Sequence, residues 1–327
     1  MISKKKCIVL TAALIAFSVF TRAEDASGPN TPHHRPADHA ISLESANLSE
    51  LAALAGDNEY QFVTIDVDGS PYAVADGINN SRCVTGYYED SNSFWHGFVW
   101  HDGSLRTVNH PNAKNTYLYG VNNKDQAIGY FDDGIAYHTV IYSVRTGLWT
   151  ALPDIPGYSH NEGYGINDEG VAVGNAFSAS NTSVAWIWSP SKHSYSFFVV
   201  PQAAQYTTSP SGLNDRDQVV GYFADANGTY HGFLKEYGAY AIIDVPGATN
   251  SYPDGINNRG VIQGQIFDSQ GFADGFTGTS GGVFTIVNYP GPEMTAIVGI
   301  NDRGDLAGSY WPTFNGPFKA FVAFPSK

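Results

Sequence analysis

The sequence predicts an all-β chain made of six copies of one four-stranded antiparallel unit, and three observations carry that reading. Gly-[Ile/Val/Leu]-Asn-[Asn/Asp] occurs six times, starting at Gly77, Gly120, Gly165, Gly212, Gly255 and Gly299. A second glycine follows nine residues later in each copy, at Gly86, Gly129, Gly174, Gly221, Gly264 and Gly308, while successive copies are 43, 45, 47, 43 and 44 residues apart. Length varies outside the nine-residue core and never inside it. A repeat of about 40–50 residues filled with short strands marks an array such as a β-propeller, in which each sheet buries its faces against its neighbours.

The second observation is a turn inside each core. Asn and Asp favour turn entry, and Gly or Asp at the fourth position tolerates the left-handed backbone that a short hairpin demands. Asn167-Asp168-Glu169-Gly170, Asn257-Asn258-Arg259-Gly260 and Asn301-Asp302-Arg303-Gly304 carry Gly there, and Asn122-Asn123-Lys124-Asp125 and Asn214-Asp215-Arg216-Asp217 carry Asp. Arg82 is the outlier of the first copy. In the fifth copy the strands read as Tyr252–Asn257, Val261–Ile266, a third around Gly275-Phe276-Thr277, and Val283–Asn288.

The third observation is the phase of the ends. The chain enters the repeats on Phe62-Val63-Thr64-Ile65-Asp66-Val67, which matches the fourth-strand text Ala241–Val245. It leaves on Phe318–Phe324, which matches the third-strand text Tyr230–Leu234. Pairing these two strands would remove two bare sheet edges. The expected fold is therefore a six-bladed β-propeller of four-stranded antiparallel blades over residues 61–327, its N-terminal strand closing the last blade. With the first strand of each unit innermost, the paired glycines would lie beside the axis, where strands crowd.

Residues 1–23 read as a signal peptide: Lys4-Lys5-Lys6, an apolar run Cys7–Phe20, and small residues at Thr21 and Ala23 before a cleavage point. That run is too short for a comfortable membrane span. Residues 24–60 form a separate segment, with Asp25–His39 disordered or extended and Leu43–Ala55 one short amphipathic helix that plugs the domain or links to it. Removing Lys4, Lys5, Lys6 and Arg22 leaves 13 basic against 31 acidic residues, a net charge of −18. Such a balance argues against nucleic acid and anionic membranes as partners. Only Cys83 remains after cleavage, so stability comes from the core and not from an internal disulfide.

The units resemble the HAF repeats of bacterial extracellular repeat proteins, whose pattern includes G-I-N-x-x-G-x-I-V-G-x-Y and a downstream H-[AG]-F. Gly212-Leu213-Asn214, Val220-Gly221-Tyr222 and His231-Gly232-Phe233-Leu234 carry it, as do Gly77-Ile78-Asn79, Gly86-Tyr87 and His96-Gly97-Phe98. The resemblance covers about residues 62–327 and implies a secreted or surface-exposed protein, with no activity to carry over. The motif histidine survives only as His96, His138 and His231; Val184, Asp274 and Lys319 replace it elsewhere.

Three constellations are candidates for chemistry. The repeat histidines would bind a metal only if they met at the axis, and a third-strand position puts them outside it. The acidic hairpins Glu89-Asp90, Asp132-Asp133-Gly134, Asp225–Gly228 and Asp268–Gly271 offer oxygen for calcium, yet none spells a dedicated calcium loop and turn chemistry explains the same residues. No cofactor or metal is therefore expected, with calcium as the lesser alternative. The third constellation is the text leading into each first glycine: Asp76; His110, Tyr117 and Tyr119; His160, Glu162 and Tyr164; Tyr206; Tyr252 and Asp254; Glu293. A binding site must use residues that the repeats do not share, so His110, Tyr117, His160, Glu162, Tyr252 and Asp254 are the candidate ligand-binding residues. Truncating an exposed one is expected to change stability by no more than about half a kcal/mol. Aromatic faces with carboxylates and imidazoles suit saccharides, and His160 with Glu162 could serve as an acid–base pair.

No nucleophile elbow, zinc-protease helix or phosphate loop is present. The expected function is a secreted or periplasmic, monomeric binding module for a saccharide or a protein. The alternative is a secreted hydrolase or lyase acting on a polysaccharide or lactone at the channel mouth, with His160 and Glu162 converging in a deep pocket.

Overall fold

The computed structural model describes residues 60–326 except 68, 181, 293, 314 and 315. The expected signal segment, the expected helix at Leu43–Ala55 and Glu293 lie outside the described residues. All regular structure among the described residues is β-strand. The first strand is β1 (Tyr60–Ile65), and four strands follow: β2 (Tyr72–Ile78), β3 (Val84–Glu89), β4 (Trp95–His101) and β5 (Ser104–Val108). The next two groups are β6 (Asn115–Val121), β7 (Gln126–Asp132), β8 (Tyr137–Ser143), β9 (Trp149–Ala151), and β10 (His160–Ile166), β11 (Ala172–Phe177), β12 (Ser183–Ser189), β13 (Ser194–Phe198). Then come β14 (Ser209–Leu213), β15 (Val219–Ala224), β16 (Tyr230–Glu236), β17 (Ala239–Ile243), and β18 (Asn250–Ile256), β19 (Ile262–Phe267), β20 (Ala273–Gly278), β21 (Phe284–Ile286). The last are β22 (Met294–Ile300), β23 (Leu306–Trp311) and β24 (Lys319–Pro325).

Each group of four pairs consecutively as an antiparallel meander. The groups β6–β9 and β10–β13 count as one eight-stranded sheet only through a single parallel bridge, His160 opposite Tyr137. The strand β1 pairs antiparallel with β24, Tyr60 opposite Pro325 through Ile65 opposite Ala320, and so shares a sheet with β22–β24. Sheets meet face to face through apolar clusters. Val220 and Leu234 of one sheet pack with Ile256, Ile262 and Phe276 of the next. Ala73, Val84 and Phe98 of β2–β4 pack with Ala320 and Val322 of β24. Cys83 is buried and free, and burial pushes its thiol up to about 11.

Both glycines of the motif are close-approach residues. A Cβ on any second glycine would overlap the carbonyl oxygen of Val74, Tyr117, Glu162, Ser209, Tyr252 or Ala296 on its own innermost strand. In five copies a third-strand ring also lies across it: Phe98, Trp186, Phe233, Phe276 or Phe321. The first glycines face the neighbouring copy. A Cβ on Gly77 would lie 2.7 Å from the Tyr119 carbonyl oxygen, and one on Gly299 would lie 2.5 Å from that of Asp76.

The motif asparagine links the copies. Asn79 Nδ2 donates to the Asn122 carbonyl (3.0 Å), Asn122 to Asn167 (2.8 Å) and Asn167 to Asn214 (3.3 Å). Asn214 donates to Asn257 (3.0 Å), Asn257 to Asn301 (2.9 Å), and Asn301 back to Asn79 (3.0 Å). One residue on, each backbone amide donates to the next side chain, from Asn80 to Asn123, Asp168, Asp215, Asn258, Asp302 and back to Asn80, at 2.7–2.9 Å. The turns adopt the left-handed backbone at the fourth position, including Asp125 (φ 60°), Asp217 (φ 56°) and Arg82 (φ 63°). The outlier has a reason: the Arg82 guanidinium makes two hydrogen bonds to the buried Asp305 carboxylate, 3.0 and 3.1 Å, and stacks over Phe324.

Replacing Gly129 or Gly221 even with alanine should unfold the protein under mild conditions, by forcing a Cβ into a backbone carbonyl of a packed strand. Gly228→Ala, in an open hairpin with φ 84° and nothing nearby, should cost only about 1 kcal/mol. Urea melts of the three variants check both expectations.

Candidate functional site

Every innermost strand carries a register shift at its first glycine, on the residue before it in five copies and across Tyr119 and Gly120 in the second. The shifts fall between Ala75 and Gly77, Leu118 and Val121, Gly163 and Gly165, Pro210 and Gly212, Pro253 and Gly255, and Ile297 and Gly299. A bulge leaves one residue unpaired and re-aims its side chain. The residues so placed include Asp76, Tyr164, Ser211, Asp254 and Val298, and these line an axial cavity of about 90 Å³. Gln263 lines it too.

A second cavity of about 70 Å³ lies at the turn end, lined by the motif asparagines and their Asn or Asp successors. Six aliphatic residues, Ile78, Val121, Ile166, Leu213, Ile256 and Ile300, line both cavities and form an apolar girdle between them. At the turn end the carboxylates already have partners: Asp168 takes Asn123 Nδ2, Asp215 takes Asn258, and Asp302 takes Asn80 and Asn258. At the chamber end Asp254 accepts from Gln265 Nε2 at 3.4 Å, but its neighbours are less well matched. Asp76 Oδ2 and both side-chain heteroatoms of the fully buried Gln263 have no hydrogen-bond partner within the protein.

Burial holds the Asp76 carboxyl well above the usual carboxylate range. Burial also raises Asp254; the Asp76 charge raises it further, and a hydrogen bond from Gln265 opposes the shift. Glu162 is buried and accepts a 2.7 Å hydrogen bond from the Tyr164 hydroxyl. Burial pushes its carboxyl up to about 7 against that hydrogen bond. Tyrosines surround these acids: Tyr87 contacts Tyr117 and Tyr119, and Tyr119 contacts Tyr130 and Tyr164.

Of the six residues singled out in the sequence, only Asp254 lines the cavity, half-buried. Tyr117 (2% exposed), Glu162 (5%) and Tyr252 (5%) are buried, so truncating them would cost far more than half a kcal/mol. Period-2 text does not reveal which alternate residues turn between sheets, so their burial is not readable from the sequence. His160 stacks flat on Tyr137, ring centroids 4.2 Å apart, and His110 stacks on Phe131 at 3.8 Å beside Trp149. The structure thus joins Tyr117 and His160 through Tyr130 and Tyr137 in one aromatic row and leaves His110 outside it. Sequence reasoning missed Ser211, Val298 and Gln263. The rule that the residue before each first glycine faces the axis would have found the first two.

The repeat histidines are clamps. His138 bonds Asp154 through Nδ1 (3.0 Å) and Asp133 through Nε2 (3.4 Å). His231 bridges Asp244 and Asp225, and His96 bridges Asn109 and Asp90, in the same way. Each ties a hairpin to the end of the fourth strand. In those hairpins Asp90 and Asp225 each cap two backbone amides, as turn chemistry requires.

No family model and no curated protein matches the chain. Among solved structures it is similar to TolB from Acinetobacter baumannii (TM-score 0.53, 9% identity, 73% of this chain), of whose length it spans 63%. It is also similar to AofleA from Arthrobotrys oligospora (0.51, 10%, 82% of this chain and 87% of that one). A third is the SapL1 lectin in complex with α-methyl fucoside (0.50, 12%, 77% and 93%). At these identities the likeness shows the fold alone, an all-β arrangement of four-stranded antiparallel sheets of the β-propeller kind.

Glu162 makes a pH-dependent prediction. Its carboxyl ionises at about 7 when folded against an ordinary 4.5, so the folded state holds the proton longer. Its stabilising contribution is complete below pH 4.5 and lost as pH rises to 7, a change of about 3 kcal/mol. Glu162→Gln should therefore gain stability relative to the parent between pH 4.5 and pH 8. Urea melts at both pH values measure the difference, and a difference that does not change with pH refutes it.

Proposed function

We propose that residues 61–327 form a closed six-bladed β-propeller, its N-terminal strand completing the last blade, exported by the segment 1–23. The asparagine circuit, which returns to Asn79 after six copies, supports this, as do the β1–β24 pairing and the Arg82–Asp305 link between the first and last copies. Deleting residues up to Asp66 would bare the β24 edge, and the truncated chain should self-associate where the parent stays monomeric. Light scattering decides it.

We infer further that the protein is a binding module acting outside the cytoplasm on a saccharide or a protein. The observation that carries this is the contrast between shared and unshared positions. The glycine contacts and the asparagine circuit that join the copies repeat, whereas the bulge positions hold Asp76, Tyr119, Tyr164, Ser211, Asp254 and Val298, six positions with four residue types. Catalysis fits less well: the imidazole of His160 lies against Tyr137 while the Glu162 carboxyl is engaged by Tyr164. The similar fold of a lectin solved with a fucoside favours a saccharide over a protein. On this reading Asp254 meets the ligand from the chamber and the half-buried His110 and His160 meet it from the strand ends, with Tyr117, Glu162 and Tyr252 as the walls behind them.

A glycan array and a panel of chromogenic glycosides and lactones test the reading together. The expected result is saccharide binding that Asp254→Ala weakens, with no turnover. Turnover would move the protein to the hydrolase or lyase alternative, and binding indifferent to Asp254, His110 and His160 would place the site on the outer blade edges.

A further inference from the structure

The chamber end of the axis holds buried polar groups that the fold leaves unused. We propose that it binds one partly hydrated divalent cation, held by the Asp76 and Asp254 carboxylates with the neutral oxygens of Gln263 and Ser211. Strands β18, β22 and β2 are neighbours here: a Cβ on Gly255 would meet the Val298 carbonyl at 3.9 Å, and one on Gly299 that of Asp76 at 2.5 Å. The bulges on β18 and β2 therefore turn Asp254 and Asp76 to the axis on either side of Val298.

Gln263 is the independent sign. Its amide head lies against Gly255, where a Cβ would meet Nε2 at 2.6 Å, next to Asp254. It is wholly buried, yet neither Nε2 nor Oε1 has a partner in the protein, and Asp76 Oδ2 has none either. Buried polar atoms without partners are rare, and each costs about 1–3 kcal/mol unless a water or ligand satisfies it. The repeat does not demand a glutamine there, since the other copies carry Thr85, Ile128, Val173, Val220 and Ala307.

The donor chemistry selects the ligand. All available donors are hard oxygens, which suit magnesium or calcium better than zinc or copper. Among the described residues no three His, Cys, Asp or Glu side chains converge as a metal group. The ion would keep several waters, as magnesium does when it has only one or two protein carboxylates. A chamber of about 90 Å³ has room for them, each water needing about 10–15 Å³. A cation would also offset the mutual repulsion of the two carboxylates.

The proposal stands apart from the saccharide reading, because binding of a cation and of a glycan are measured separately and either can fail alone. Calorimetric titration of the chain with MgCl2 and with CaCl2, against KCl at matched ionic strength, should show one site for at least one of the two ions. Asp76→Asn and Asp254→Asn should each weaken it at least tenfold, and Asp90→Asn, on an outer hairpin, should leave it unchanged. Mn2+ used as a paramagnetic probe on the unmodified chain makes the test independent of how the variants fold. It should broaden the amide signals of Gly212, Gly255 and Gly299 and spare those of Gly134 and Gly228. Absence of binding at millimolar metal overturns the proposal, as does parental affinity in both chamber variants or broadening confined to the hairpins.

Discussion

Crowding of the innermost strands is the constraint on which the rest depends. In five copies the backbone of the adjacent copy approaches so closely that a side chain at the first glycine would crowd it, and in five the second glycine is pressed between a carbonyl on one side and a third-strand ring on the other. At that separation the polar groups of the turns cannot all reach water. The motif asparagine resolves this: its Nδ2 crosses to the next copy while its Oδ1 accepts two amides of its own turn, as Asn214 does from Arg216 and Gln218. One residue type thus closes the turn and joins the copies. With a net worth near 1 kcal/mol per hydrogen bond, the circuit matters less for any single link than for fixing every copy in the same relation to the next.

The same crowding generates the asymmetry. A strand that must place a glycine against its neighbour cannot also keep perfect register with its partner, and each innermost strand bulges at the preceding residue, in the second copy together with the glycine itself. That residue is released from the ladder, and in five copies, at Asp76, Tyr164, Ser211, Asp254 and Val298, it lines the axial chamber. Six nearly identical scaffolding elements therefore present dissimilar side chains. At the turn end, where the circuit runs, every carboxylate of the ring has an amide partner; at the chamber end Asp76, Asp254 and Glu162 are held above their usual ionisation range by burial. Stability has been optimised at one end and left unspent at the other, which is the pattern expected where a ligand completes the structure.

Much of the scaffold was legible in the sequence because a constraint repeated six times stands out from any background. The glycines, the asparagines, the left-handed fourth turn position and the out-of-phase terminal strands each express one geometric demand in every copy. Even Arg82 was visible as an exception, although its partner Asp305, 223 residues away, was not. The site was less legible for the complementary reason: its residues are unique, so nothing marks them against drift. The burial of Tyr117 and Tyr252 depends on which face of a twisted strand meets the next sheet, and alternation alone is silent on that. Gln263 occupies a position that is mostly aliphatic in its siblings, where a polar residue is easily passed over without knowing that the position borders a cavity.

The girdle gives the axis a direction. Ile78, Val121, Ile166, Leu213, Ile256 and Ile300 separate the chamber from the turn-end cavity, and the two glycine rings fix how closely they meet. Widening this constriction would mean pulling apart strands that the asparagine circuit holds together. An ion or polar ligand crossing it would shed water against aliphatic side chains with no replacement donor. The girdle thus sets the chamber that holds Asp76 and Asp254 apart from the asparagine circuit at the turns. The same repeat that supplies the asparagine circuit at the turns also supplies the aliphatic side chains that bound the chamber, so the shared text shapes a space whose remaining lining is unshared.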